Sequence, residues 1–240
     1  GEHPEEIALL PLRNTVIFPG VVAPITAGRD KSIKLINDAQ NGTKLIGVIA
    51  QKEGKTETPG FEDLHTVGTL AKIIRMFKMP DGNTTVIIQG LNRFTIKEQI
   101  QTEPYLKAKI EVIKEQSEVE KTKDFEILIG SVKDLAGQII QDSPTIPSEA
   151  QFALNNIKSN TFMLNFISSN MNVDVNGKQE LLEEGDLMKR TNSVLKHLTK
   201  ELQMLEVKNE IQDKVKSEFD NQQREYFLNQ QMKTIQEELG

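Results

Sequence analysis

A chain of 240 residues with a net charge of −6 repels polyanions as a whole. With aromatics at only 5% it lacks the basic, aromatic-interleaved face that reads nucleic acid, so no nucleic-acid partner is expected as its main one. The absence of cysteine excludes a disulfide framework and a thiolate metal site. Apolar runs such as Val21 to Ile25 and Thr85 to Ile88 are far too short to span a membrane. No signal-peptide pattern opens the chain, and the leading Gly1 in place of Met suggests a start removed upstream. A soluble, cytoplasmic protein with no membrane partner is expected.

The first half reads as strands. Ala8 to Leu12 is a short apolar run broken by Pro11, and Val21 to Ile25 follows a Pro19-Gly20 turn. Asp30 to Gln40 is a helix with Ile33, Leu35, Ile36 and Ala39 on one face, stopped by Asn41-Gly42. Lys44 to Ala50, Thr69 to Phe77, Thr84 to Gln89, Arg93 to Ile100 and Tyr105 to Ile113 are further strands. Pro80-Asp81-Gly82-Asn83 closes a hairpin between two of them. Short strands at close spacing with one helix predict a small, mostly antiparallel β-barrel over residues 1–116.

The charged stretch from Glu115 to Asp124 is a joint, and after it the apolar period becomes helical. Helices are predicted over Phe125 to Gln141, over Glu149 to Ile157 with Ser148 as N-cap, and from Thr161 to Met171. Asn176-Gly177 reads as a turn before a short helix carrying Leu181 and Leu182, which completes a helical lobe over 117–185. Asp186 caps a last helix, over 186–240, that meets neither Pro nor Gly until Gly240. Fifty such residues span about 75 Å. Leu195, Leu198, Leu202 and Leu205 give its first part a packing stripe, whereas Ile211, Val215 and Phe219 stand in a polar background. A helix that begins packed and turns polar all round is a strut, and its end at Gly240 suggests truncation before a further module. The fold class expected is thus α+β, a barrel followed by a helical lobe ending in one long helix.

Chemistry is sparse. Gly54-Lys55-Thr56 resembles the end of a phosphate loop, but Ile49 stands where that loop needs its first glycine. Ser193 and Lys196 match an S-x-x-K spacing, yet they lie mid-helix, where amides are already bonded and cannot serve an oxyanion. His3, His65 and His197 are isolated from one another. No catalytic, metal or cofactor site is therefore assigned to these residues. The binding candidates are apolar side chains at turns: Phe77, Met79 and Pro80 at the hairpin tip, and Phe18 with Pro19 after the first strand.

Two stretches resemble the Lon protease family. The first is Leu9-Leu10-Pro11-Leu12-Arg13-Asn14 with Val16-Ile17-Phe18-Pro19-Gly20, continued by Gly28-Arg29-Asp30, Gly68-Thr69 and Gly90-Leu91-Asn92-Arg93-Phe94. The second is Gln223-Arg224-Glu225-Tyr226-Phe227-Leu228 through Gln231-Met232-Lys233 to Glu237-Glu238-Leu239-Gly240. The resemblance implies a PUA-like barrel in the amino-terminal, substrate-binding region of a LonA-type protease. It implies a homohexameric parent with an AAA+ ATPase using ATP and magnesium and a Ser-Lys peptidase, both outside these residues. That parent would degrade misfolded proteins and selected regulatory ones in the bacterial cytoplasm; the mitochondrial matrix is the lesser expectation. The alternatives carried are a stand-alone LON-domain interaction module and a PUA-like binder of nucleic acid or a small ligand.

Overall fold

The computed structural model describes residues 3–240. Six strands come first: β1 (Glu6–Leu12), β2 (Val22–Ala27), β3 (Leu45–Ala50), β4 (Val67–Lys78), β5 (Thr84–Gln101) and β6 (Lys107–Val112), with helix α1 (Asp30–Gln40) between β2 and β3. They form one sheet in the order β2-β5-β4-β3-β1-β6, closed by a further pairing of β5 with β6. Only β1 and β3 run parallel, from Leu9 opposite Gly47 to Leu12 opposite Ala50; the other pairs are antiparallel.

The closure depends on the length of β5. Its second half, Phe94 to Gln101, pairs with β6, and its first half, Thr84 to Gln89, pairs with β2, so two short strands share one edge of a long one. Thr84 to Gln89 and Arg93 to Ile100, expected as separate strands, are thus a single strand of 18 residues. Gly90 keeps the ladder intact at the junction: its N–H donates to the Val21 carbonyl and its own carbonyl accepts from Gly20. Pro11 does not end β1 either, since a strand paired in parallel on one side can carry a residue without an N–H. Inside the barrel, Leu10, Leu12, Val48, Ile73, Val86 and Ile88 pack beneath Leu35 and Ile36 of α1. A second cluster around Leu9, Leu70, Phe94 and Ile110 fills the other end.

The helices that follow are α2 (Ser117–Glu120), α3 (Lys123–Asp142), α4 (Glu149–Asn155), α5 (Asn160–Asn170), α6 (Val175–Glu183) and α7 (Leu187–Leu239). Short polar side chains set their starts: Thr122 accepts from the Phe125 amide, Ser159 from Phe162, Asp174 from Gly177 and Asp186 from Lys189. Ser148 does not cap α4. Its own backbone is already helical, at φ −62 and ψ −23, and its hydroxyl makes no cap bond. Asn176-Gly177 is not a turn but the first turn of α6, because Asp174 captures the Gly177 amide and begins the helix there.

The core of the lobe does not respect the line between strands and helices. Val16, Phe18, Val21 and Ala50 from the strand-rich half pack with Phe125, Val132, Leu164 and Leu182, and with Leu187, Val194 and Leu198 of α7. The first turns of α7 are therefore part of the helical lobe. The last tether is Asn209, whose side-chain amide donates to the Asp142 carbonyl at 2.9 Å. Beyond it every α7 residue is exposed.

Candidate binding surface

The β4–β5 hairpin is closed by its backbone. The Met79 amide donates to the Asn83 carbonyl at 2.8 Å and Gly82 to Met79 at 3.1 Å. Gly82 supplies the positive φ of 89° that the turn demands, and Asp81 accepts from the Asn83 amide. With the polar groups of the turn satisfied internally, the apolar side chains have nothing to pack under and stay out: Phe77 is 42% exposed, Met79 44%, and Pro80 is also exposed. The Arg75 guanidinium carbon lies 5.3 Å from the centre of the Phe77 ring, a cation–π contact between neighbours on the same face of β4.

The tip is one end of a larger apolar row. Alternation from buried Ile73 puts Ile74 outside at 47% exposure. A register shift between Ile73 and Arg75, which inserts an extra residue into β4, sets Arg75 and Phe77 on that same outer face. On the same outer face the ladder sets Pro24 opposite Ile87, and Ile87 opposite Arg75. Val22 completes the row at 54% exposure. Val22, Pro24, Ile87, Ile74 and Phe77 thus lie across three adjacent strands. Apolar side chains grouped this way on a polar chain make the row the candidate contact surface. Strand alternation hides this from the sequence, because Phe77 shares the parity of buried Ile73 and belongs outside only once the bulge is known.

Phe18 and Pro19 do not form a second edge. Phe18 is fully buried in the joint between barrel and lobe. The reason is Gly20, whose φ of +82° turns the chain back over Phe162 of α5; a Cβ there would meet that ring at 2.6 Å. Pro19 is half-buried and its carbonyl accepts from Asn165 at 3.2 Å.

The same joint holds two buried arginines that composition did not single out. Arg93 of β5 donates to the Leu182 carbonyl at 2.8 Å and the Glu184 carbonyl at 3.2 Å. It also grips both oxygens of Glu115. Arg190 of α7 is 2% exposed, and its Nε and Nη1 meet no acceptor among the described residues. Burial, reinforced by Arg93, pulls its guanidinium down to about 10 against the partial support of Glu115 and Glu184. Gln179 of α6 adds a third strap, donating to the Val67 carbonyl at 2.9 Å.

Residues 6–200 match the family model of the ATP-dependent protease La (LON) substrate-binding domain. The chain belongs to that family. It is 56% identical over 239 residues to the Lon protease of Flavobacterium johnsoniae, covering 100% of this chain and 29% of that protein. The Lon protease of Cytophaga hutchinsonii is 49% identical, again over 100% of this chain and 29% of that protein. The chain therefore spans about three-tenths of these relatives and corresponds to the amino-terminal region of Lon proteases. In fold it is similar to the N-terminal domain of the Mycobacterium avium complex Lon protease, with a TM-score of 0.68 at 20% identity, over 81% of this chain and 98% of that one. A Lon N-terminal domain protein from Xanthomonas campestris is similar at a TM-score of 0.56 and 15% identity, over 79% of this chain and 96% of that one.

As a Lon substrate-binding domain, the chain carries its other sequence matches in structural positions. Gly54-Lys55-Thr56 belongs to a surface turn folded around Gln51, whose side-chain amide donates to the Glu53 and Thr56 carbonyls. Ser193 and Lys196 sit within α7. His65 lies 3.8 Å from Glu183 across the joint. Among the described residues no group of three or more His, Asp or Glu side chains is placed to hold a metal ion. Among the described residues no helix is long and apolar enough to cross a membrane.

Proposed function

We propose that this chain captures unfolded or damaged proteins for an ATP-dependent serine protease of the Lon type, and that α7 mounts the capture surface on the motor. The observation that carries this reading is the apolar row from Val22 to Phe77, continued to Met79 at the tip. A partner that must accept many sequences gains from flexible and aliphatic side chains on a rigid sheet, because these meet any apolar segment without demanding one shape. In the parent, ATP and magnesium would serve a hexameric AAA+ module and a Ser-Lys dyad would cut the substrate, all supplied by residues other than these, in a bacterial cytoplasm.

Titration of a permanently unfolded protein, such as reduced and carboxymethylated α-lactalbumin, tests the surface. Met79→Asp and Ile74→Asp should each weaken binding by about 1–2 kcal/mol, the scale of one partly buried apolar side chain, while melting curves stay unchanged. Equal affinities for the two variants and the wild type would remove the row from the binding surface.

A further inference from the structure

The barrel is closed along only part of its length. β6 joins β5 to β1 through Phe94 to Gln101 on one side and Glu6 to Ala8 on the other. Where β2 takes over the edge of β5, no strand among the described residues links β2 to β1. The opening left there is a cleft of about 630 Å³, lined on one side by Leu10 to Thr15 and on the other by Pro24 to Arg29.

The edge that β2 presents to this cleft can be read residue by residue. The Val21 carbonyl accepts from the Gly90 amide, so Val21 aims its backbone at β5. The alternation of an antiparallel ladder then aims Ala23, Ile25 and Ala27 the same way, and turns the backbone groups of Val22, Pro24 and Thr26 outward. Pro24 fits this assignment, since a strand proline belongs where the missing N–H would face away from the sheet. The outward amides of Val22 and Thr26, and the carbonyls of Val22, Pro24 and Thr26, form no backbone hydrogen bond among the described residues.

We infer that the seam between β2 and β1 takes an extended segment of unfolded polypeptide as an added strand on the free edge of β2. The inference rests on the proposed capture function and deepens it. The apolar row begins on this same strand, with Val22 and Pro24, so a segment lying on the row is already beside the edge. Unfolded proteins of unrelated sequence share one recognisable feature, an unpaired backbone, and an open strand edge reads that feature with main-chain hydrogen bonds. Pro24 removes one donor from the middle of the edge, which keeps pairing weak and reversible and discourages two copies of the chain from locking edge to edge.

The edge is separable from the apolar row by experiment. The probe is a ten-residue extended peptide of alternating apolar and polar residues, with a second version N-methylated at alternate amides. Thr26→Pro removes an outward amide and leaves the β2–β5 ladder intact; Thr26→Val removes only the hydroxyl contact with Thr85 at 2.9 Å. Binding of the unmodified peptide should fall about tenfold in Thr26→Pro and hold in Thr26→Val, the change expected for the loss of one or two hydrogen bonds. N-methylation in the register that faces β2 should lower binding to the wild type similarly. Pro24→Ala, which restores a donor, should tighten binding about threefold; it also answers the question should Thr26→Pro fail to fold. N-methylated and unmodified peptides binding alike, or Pro24→Ala binding no more tightly, would overturn the added strand. If Ile74→Asp and Met79→Asp still weaken binding in that case, the capture surface stands without the edge. If they do not, both readings fall. Thr26→Pro altering only the association of the chain with itself would assign the edge to a second copy and overturn the inference as well.

Discussion

The two parts of α7 share one hydrogen-bonded backbone and owe their stability to different things. From Leu187 to Leu205 the helix starts on the Asp186 cap and buries Leu187, Val194 and Leu198 against α3, with Leu195, Leu202 and Leu205 partly covered. From Asn209 onward it carries Ile211, Val215, Phe219, Tyr226 and Met232, each more than half exposed. Helix propensity is similar on both sides of the divide, and the difference lies in what the apolar side chains touch. A helix is held by its neighbours more than by its sequence, and this one runs out of neighbours at the end of α3.

Amide exchange gives the largest contrast. Protection from Leu187 to Leu205 should approach that of global unfolding, and from Lys208 to Glu238 it should be close to that of a frayed segment in a dilute monomer. Strong distal protection that persists on dilution would show that the second part needs no partner and would erase the distinction.

Truncations sharpen it next. Leu198→Ala should destabilise by about 2–4 kcal/mol, the cost of a cavity in a packed site, whereas Ile211→Ala should stay within about 0.5 kcal/mol. Denaturant midpoints at constant slope measure both. Equal losses would mean that the distal stripe packs on something.

Arg190 supplies a smaller effect of opposite sign within the packed part. Its folded-state affinity for the proton is lowered to a pKa of about 10, first by burial and then by Arg93. The unfolded chain therefore holds this proton more tightly, and the penalty is fully present below pH 10. It is relieved only as the pH rises through about 10 toward the ordinary guanidinium range. At neutral pH, Arg190→Met should stabilise the chain by about 1–2 kcal/mol, as apolar replacements of buried charges do. A lower melting temperature for Arg190→Met would show that the guanidinium has found an acceptor.

The sequence is readable where a signal is local. Helix α1 has the bounds its face and its Asn41-Gly42 stop imply, and the Asp186 cap begins α7 as expected. The exposed hairpin tip follows from apolar residues beside a tight turn. What escaped depends on partners distant in the chain. Phe18 looks like a surface residue until α5 is placed over Gly20. Phe77 shares the inward parity of Ala71 and Ile73 until the bulge after Ile73 turns it outward. Arg93 reads as one charge among many, and only the fold brings it to the carbonyls that end α6, 89 and 91 residues away. Asn176-Gly177 shows the reverse error: a strong turn signal lost to a capping aspartate two residues earlier.

The grip of Arg93 at the root of α7 has a consequence in mechanics. From Asn209, the last tethered residue, to Leu239 the helix runs about 45 Å as a free arm. A tilt of one degree at the root displaces the far end by roughly 0.8 Å over that length, so a wobble of about six degrees would move it by about the spacing of two strands in a sheet. The precision with which the barrel is aimed relative to that arm is thus set at the joint, where the shared apolar core, Gln179 and the Arg93 bonds to the carbonyls of Leu182 and Glu184 tie the barrel to the lobe just before α7 begins.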